Sequence, residues 1–166
     1  MALKTTAIAL ACAAAAILTG GAALAADPAP APTTPGGKAV VARQAHYREL
    51  NAAFRAINDE LKKDMPDKAA IAANAGKMKA LADDLPGWFP KGSGPEAGQP
   101  TRAKAEIWTD AEGFATVASG LQTETAKLEQ VALAGDMDAL KAQAQARATG
   151  AACGACHSRY RGPETH

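Results

Sequence analysis

Between residues 40 and 61, large side chains return at steps of seven, three and four: Val40, Tyr47, Leu50, Phe54, Ile57 and Leu61. A helix of 3.6 residues per turn brings such positions onto one face, so this stretch reads as a helix with a single buried stripe. The spacing recurs three times. Ile71, Met78, Leu81 and Leu85 form a second stripe. Ile107, Ala111, Phe114, Ala118, Leu121 and Leu128 form a third, and Leu140, Ala144, Ala148 and Ala151 a fourth. No stretch alternates with the period of two expected of a half-buried strand. Helices are therefore expected over about 38–63, 66–85, 102–133 and 137–160. Pro66 stops the first and suits the first turn of the second. Thr101 is the expected N-cap of the third, Gly135 its stop and Asp136 the cap of the fourth. Between the second and third lies "LPGWFPKGSGPEAGQP", whose four prolines and four glycines forbid regular structure. Four helices with short connections and one longer loop predict an all-α fold, an antiparallel four-helix bundle.

The chain has 166 residues, the size of one domain. Its first 26 residues carry Lys4, then an apolar run, then small residues around "ALAAD", the pattern of a removable secretory signal peptide. Cys12 lies within that run, and no Leu-rich box precedes it to mark a lipid attachment site. Residues 27–37 are a Pro-rich leader, 38–162 the folded domain and 163–166 a short tail. The full chain has 18 basic and 17 acidic side chains, and loss of Lys4 brings the two signs into balance. A balanced surface argues against nucleic acid as a partner, because phosphate binding needs a basic excess. No later stretch is apolar for long enough to span a bilayer, so the processed protein is expected to be soluble in an exported, oxidising compartment, the periplasm.

The fourth stripe is mostly alanine. Each Ala in place of Leu forgoes about 2 kcal/mol of transfer energy, so long partner side chains or a large apolar group must fill the space beside that helix. The same helix ends in "CGACH", residues 153–157. C-x-x-C-H is the attachment pattern of c-type haem. Thiols three positions apart share a helix face and reach one edge of the ring, while the next histidine offers a ring nitrogen as axial ligand. Gly154 and Ala155 leave room between the thiols, as does Gly150 one turn earlier. Two other readings of the same residues stand. Cys153 and Cys156 could form a redox disulfide, although such pairs follow a strand at a helix N-terminus. Alternatively, Cys153, Cys156 and His157 could bind zinc with His46 or His166, which would make the protein a non-haem metal-binding module.

Position and context add a resemblance. The motif lies near the C-terminus of a four-helix chain. "RQAHYREL" precedes "FPKGSG", "AKAEIWTDAEGF", "GDMDAL" and "CGACHSRYR". Together these resemble the class II c-type cytochromes, the cytochrome c′ family, over about residues 38 to 162. The resemblance implies one covalent haem c, with Cys153 and Cys156 forming thioethers and His157 as the iron ligand. It implies that Arg43 contacts a haem propionate and that Arg161 stands near the proximal face. Tyr47 falls where the family places the residue facing the sixth coordination position. A phenol, neutral near pH 7, is a poor ligand there. That favours a five-coordinate iron serving electron transfer, binding of a small gas such as nitric oxide, or both, with periplasmic redox partners. The resemblance also implies a homodimer through the first two helices. The rival is a six-coordinate electron carrier using His46, which the helical phase places about 100° from Tyr47, at the surface or boundary. Met65, Met78 and Met137 read as packing. Trp88 and Phe89 read either as cover for a haem edge or as ordinary core filling, and Trp108 as packing between helices. Lys62, Lys63, Lys77 and Lys79 read either as docking for an acidic partner or as solvated faces. No nucleophile or acid–base pair marks an enzyme.

Overall fold

The structure, a computed structural model, describes residues 31–144 and 149–163. The expectations for residues 1–26 (Cys12 among them), for Ala148 and for His166 fall outside the described residues. Among the described residues six α-helical segments follow in order: α1 Pro35–Glu60, α2 Lys68–Asp84, the single turn α3 Glu106–Thr109, α4 Ala111–Ala134, α5 Met137–Ala144 and α6 Thr149–Tyr160. The loop expected to be wholly irregular holds two short 3-10 helices, Leu85–Trp88 and Pro95–Ala97, each with a proline in its first turn. Among the described residues there is no strand, only one isolated antiparallel bridge between Ala103 and Arg161.

Local chemistry sets the ends. The α1 helix starts earlier than expected, at Pro35, because Thr34 caps it by accepting from Gly37 N at 3.0 Å and Pro35 fits the first turn. Gly36 must lack a side chain, since a Cβ there would collide with the carbonyl oxygen of Gly92 on the long loop. Pro66 stays outside α2, whose cap is Asp67, accepting from Ala70 N at 3.0 Å. Asp136 caps α5 as expected, accepting from Ala139 N at 3.0 Å, after Gly135 closes α4 at φ +70°.

The expected third helix is the main departure. Its long part begins only at Ala111, capped by Asp110, which accepts from Gly113 N at 3.3 Å. Thr101 is not its cap; the hydroxyl oxygen instead accepts from Arg43 Nη2 at 3.1 Å and from Ala103 N at 3.2 Å. Ala111, expected on the buried stripe, is exposed, because it sits in the first turn directly after the break. Phe114, Ala118, Leu121 and Leu128 are buried, and Thr125 joins them, its hydroxyl donating to Leu121 O at 2.9 Å so that no polar atom is stranded.

The α1 helix packs on α2, α2 on α4, and α4 on both α5 and α6. Ile57, Ile71, Met78, Leu128 and Leu140 are fully buried at these contacts. The fourth side of the bundle, α1 opposite α6, is not closed by extended helix packing among the described residues. Ala144 is buried but Ala151 is exposed, contrary to the expected stripe. The buried face of α6 runs instead through Thr149, Cys153, Cys156 and Tyr160, so its phase is shifted from that of α5. Met65 also departs from expectation: it is solvent-exposed, on the α1–α2 connection.

Candidate functional site

The unclosed side is where the sequence motif lies. Cys153 and Cys156 are half-buried on α6, against the core, with free thiols. Burial pushes both thiols above the ordinary range, and for Cys156 the charge of Cys153 adds to the rise while Arg161 opposes it. Gly154 and Ala155, expected to leave room for a ring, turn to solvent instead, and a Cβ on Gly154 would meet nothing within 4 Å. His157, next along, is exposed. Partial burial and then the charges of Arg161 and Arg102 hold its pKa below the usual histidine value, which favours the neutral imidazole a metal requires.

Across from the thiols stands Tyr47 on α1. Its pKa is driven well above the ordinary phenol value, first by burial, then by the charge Cys156 would carry; Arg43 opposes and Cys153 adds. The phenol is therefore protonated at any physiological pH. Trp88 meets the Tyr47 ring edge-on with centroids 5.2 Å apart, and Phe89 lies at 6.5 Å. The aromatic lining continues from Phe89 to Phe114 at 4.9 Å and from Phe114 to Tyr160 at 5.5 Å. Trp108 fastens the loop, its indole N–H donating to Phe89 O at 3.1 Å and Pro90 O at 3.2 Å. Trp88 and Phe89 thus line this side, while Trp108 secures the loop that carries them.

Arg43, one turn before Tyr47, is only 3% exposed. Its Nη1 donates to Trp88 O at 3.2 Å and Ser93 Oγ at 3.1 Å, and its Nη2 to Ser93 O at 3.0 Å and Thr101 Oγ1 at 3.1 Å. The guanidinium also lies over the Phe89 ring, 4.6 Å from its centroid. Among the described residues no carboxylate pairs with it. A buried cation held only by neutral acceptors is costly unless an anion completes it.

His46 is half-buried and stacks on Trp88 at 4.9 Å with planes 23° apart. It lines a half-open cavity of about 130 Å³ with Ala39, Ala42, Arg43, Gly87, Trp88 and Pro90. That is small beside the about 300 Å³ at which ligand pockets begin. Arg161 is exposed at the end of α6 with its charge near His157 and Cys156. The lysines Lys62, Lys63, Lys77 and Lys79 each form a surface ion pair, with Asp59, Glu60, Glu49 and Asp83, which favours the solvated-face reading. Among the described residues no three His, Cys, Asp or Glu side chains converge as metal ligands. The sequence reading missed Tyr160, Ser93 and Asp110. Only Tyr160 had a visible signal, its step of four after Cys156 and seven after Cys153.

These residues fit a flat, apolar, anionic ring. Two thiols share one helix face and an imidazole follows them. Aromatic rings line the space opposite, and among the described residues a buried guanidinium lacks a carboxylate. A helical bundle carrying these thiols and this imidazole on its last helix, opposite such a lining, is a c-type cytochrome. The comparisons specify which kind. The family profile for cytochrome c′ matches residues 38–161. Cytochrome c′ of Alcaligenes xylosoxydans xylosoxydans is 37% identical over 124 residues, which cover 74% of this chain and 92% of that protein. The crystal structure of cytochrome c′ from Thermochromatium tepidum superposes with a TM-score of 0.69 at 27% identity, covering 80% of this chain and all of that one. A ferrous variant of the Alcaligenes xylosoxidans protein with nitric oxide bound superposes with a TM-score of 0.68 at 31% identity, covering 78% of this chain and 97% of that one. The chain belongs to the cytochrome c′ family, and is a haem-binding cytochrome with covalently attached haem c.

Proposed function

We propose that the protein is a periplasmic monohaem cytochrome that transfers single electrons and binds a small gas such as nitric oxide at a five-coordinate iron, without catalytic turnover. Cys153 and Cys156 would hold the haem by thioethers, His157 would give the iron a ring nitrogen, Arg43 would offset a propionate, and Arg161 would stand near His157. The bound haem supplies reversible one-electron chemistry and an open coordination position. The side chains do the rest. Aromatic rings exclude water, and the Arg43 cation favours the anionic edge of the ring.

The observation that carries this reading is Tyr47. Its phenol faces the thiols, stays protonated, and is boxed by Trp88 and Phe89. A neutral phenol shields a position without filling it. His46 is engaged in stacking on Trp88, which leaves the six-coordinate alternative without a supporting contact. The related cytochrome c′ with nitric oxide bound supports gas binding. Export rests on the N-terminal sequence pattern, and among the described residues no helix is long and apolar enough to cross a membrane. A homodimer through α1 and α2 belongs to the same reading and is tested by light scattering. The iron reading is tested by the absorption spectrum of the reduced protein. A broad high-spin spectrum is expected; a sharp, intense low-spin α band would overturn it.

A further inference from the structure

The last residue of α6, Tyr160, is only 2% exposed, although helix ends ordinarily fray. Its hydroxyl donates to Asp110 Oδ2 at 2.6 Å, across the junction between α3 and α4. Arg159 Nη2 reaches the same oxygen at 2.7 Å. The other oxygen, Oδ1, accepts the Gly113 N–H at the start of α4. One carboxylate thus joins the first turn of α4 to the last turn of α6. The approach is close enough that a Cβ at Gly113 would strike both the Asp110 carboxylate and the Tyr160 hydroxyl. The Tyr160 ring is wedged edge-on against Phe114, with planes 88° apart.

The rest of this helix end is tied to the 102–104 segment through the backbone. Lys104 N donates to Tyr160 O at 3.0 Å, and Gly162 N to Arg102 O at 2.7 Å. His157 sits three residues before Tyr160, in the turn that these contacts hold, and its own carbonyl accepts from Arg161 N. The buried stripe Cys153, Cys156, Tyr160 runs at steps of three and four, so a rotation that releases the tyrosine turns the thiols and the imidazole with it. His157 itself is exposed, and among the described residues its side chain makes no hydrogen bond, so its position is set through the helix.

We propose that Asp110 is a positioning residue: acting through the buried Tyr160 hydroxyl, its carboxylate sets where the last turn of α6 carries the His157 imidazole. The inference rests on His157 being the axial ligand. The geometry separates two roles for one side chain, since Oδ1 caps α4 while Oδ2 anchors α6. Loss of the anchor should alter the iron–imidazole geometry, and with it the potential and the gas affinity, beyond any loss of stability.

The test uses the haem-loaded protein with Tyr160→Phe, Asp110→Ala, Asp110→Asn and Arg159→Ala. The readouts are the iron–histidine stretching band of the ferrous form by resonance Raman and the midpoint potential. Tyr160→Phe and Asp110→Ala are expected to shift both beyond the spread of replicate preparations. Asp110→Asn keeps an acceptor and should restore most of the wild-type values. Arg159→Ala removes only the exposed partner and should leave the iron–histidine band in place. A wild-type band and potential in Tyr160→Phe, whatever its melting temperature, would overturn the proposal. That variant loses a single hydroxyl, so it decides the matter even if Asp110→Ala fails to accumulate. If the wild-type ferrous protein lacks the band altogether, His157 is not the ligand, and the underlying reading fails rather than the anchor.

Discussion

The two sides of this bundle are built by different rules. Where α2 meets α1 and α4, the surfaces are Ile57, Ile71, Ala75, Met78, Leu121 and Leu128, buried aliphatic groups meeting one another. Where α1 faces α6, the lining is a phenol, an indole, two thiols and a buried guanidinium, with little direct helix contact. The first side stabilises itself, since each buried Leu or Ile contributes about 1.5–3 kcal/mol. The second has groups that are expensive to bury alone and become favourable beside a flat apolar ring carrying carboxylates. Stability and function are therefore assigned to different sides of one small fold, and substitutions should separate them.

The largest separation is expected from Cys153→Ser with Cys156→Ser. Covalent haem should vanish from the intact mass of the exported protein, an all-or-none change, while an aliphatic substitution elsewhere leaves the adduct in place. Retained covalent haem in the double variant would break the comparison at its root. Next, Leu128→Ala on the self-sufficient side should cost about 2–5 kcal/mol in denaturant unfolding, with the spectrum of the folded protein unchanged. A spectral change there would mean the two sides are coupled. Arg43→Ala should cost about 2 kcal/mol, because the Trp88 and Ser93 carbonyls lose charge-assisted donors. Unlike Leu128→Ala, it should also alter the midpoint potential, since a positive charge leaves the haem side.

The smallest effect concerns pH. The Tyr160 hydrogen bond, opposed in part by burial and aided by Arg159, holds the Asp110 carboxyl below its usual value. A carboxyl lowered on folding adds stability that is fully present above its unfolded pKa of about 3.9 and is lost as pH falls through the lower folded value. The stability gap between wild type and Asp110→Asn should therefore be level from about pH 5 to 7 and narrow below pH 4. A gap that widens on acidification would contradict the assigned direction. Denaturant midpoints across this range measure it.

Legibility in the sequence follows the same division. The aliphatic side was readable because its positions keep the helical step, and the α1 and α2 stripes, with that of α4 from Phe114 onward, lie where the spacing put them. The break at Asp110 was hidden, because Ile107 and Phe114 are seven apart and stay in phase across it. The phase of α6 was misjudged for a related reason: alanines mark a face only weakly, so the stripe through Ala148 and Ala151 was carried on past the point where Thr149, Cys153, Cys156 and Tyr160 take over. On the haem side, the C-x-x-C-H motif was legible because its spacing is chemical rather than hydrophobic. The hold of Arg43 on Trp88, Ser93 and Thr101 was not, since those partners lie 45 to 58 residues away along the chain. Nor was the bond from Tyr160 to Asp110, at a separation of 50.

The central claim is that Tyr47 shields the sixth position of the iron without occupying it. Titrating the reduced protein with carbon monoxide while following its visible spectrum tests this most directly. Saturable binding with conversion to a six-coordinate, low-spin spectrum is the predicted result, and Tyr47→Ala should bind more tightly. A reduced protein whose low-spin spectrum ignores carbon monoxide would show that a side chain already fills that position.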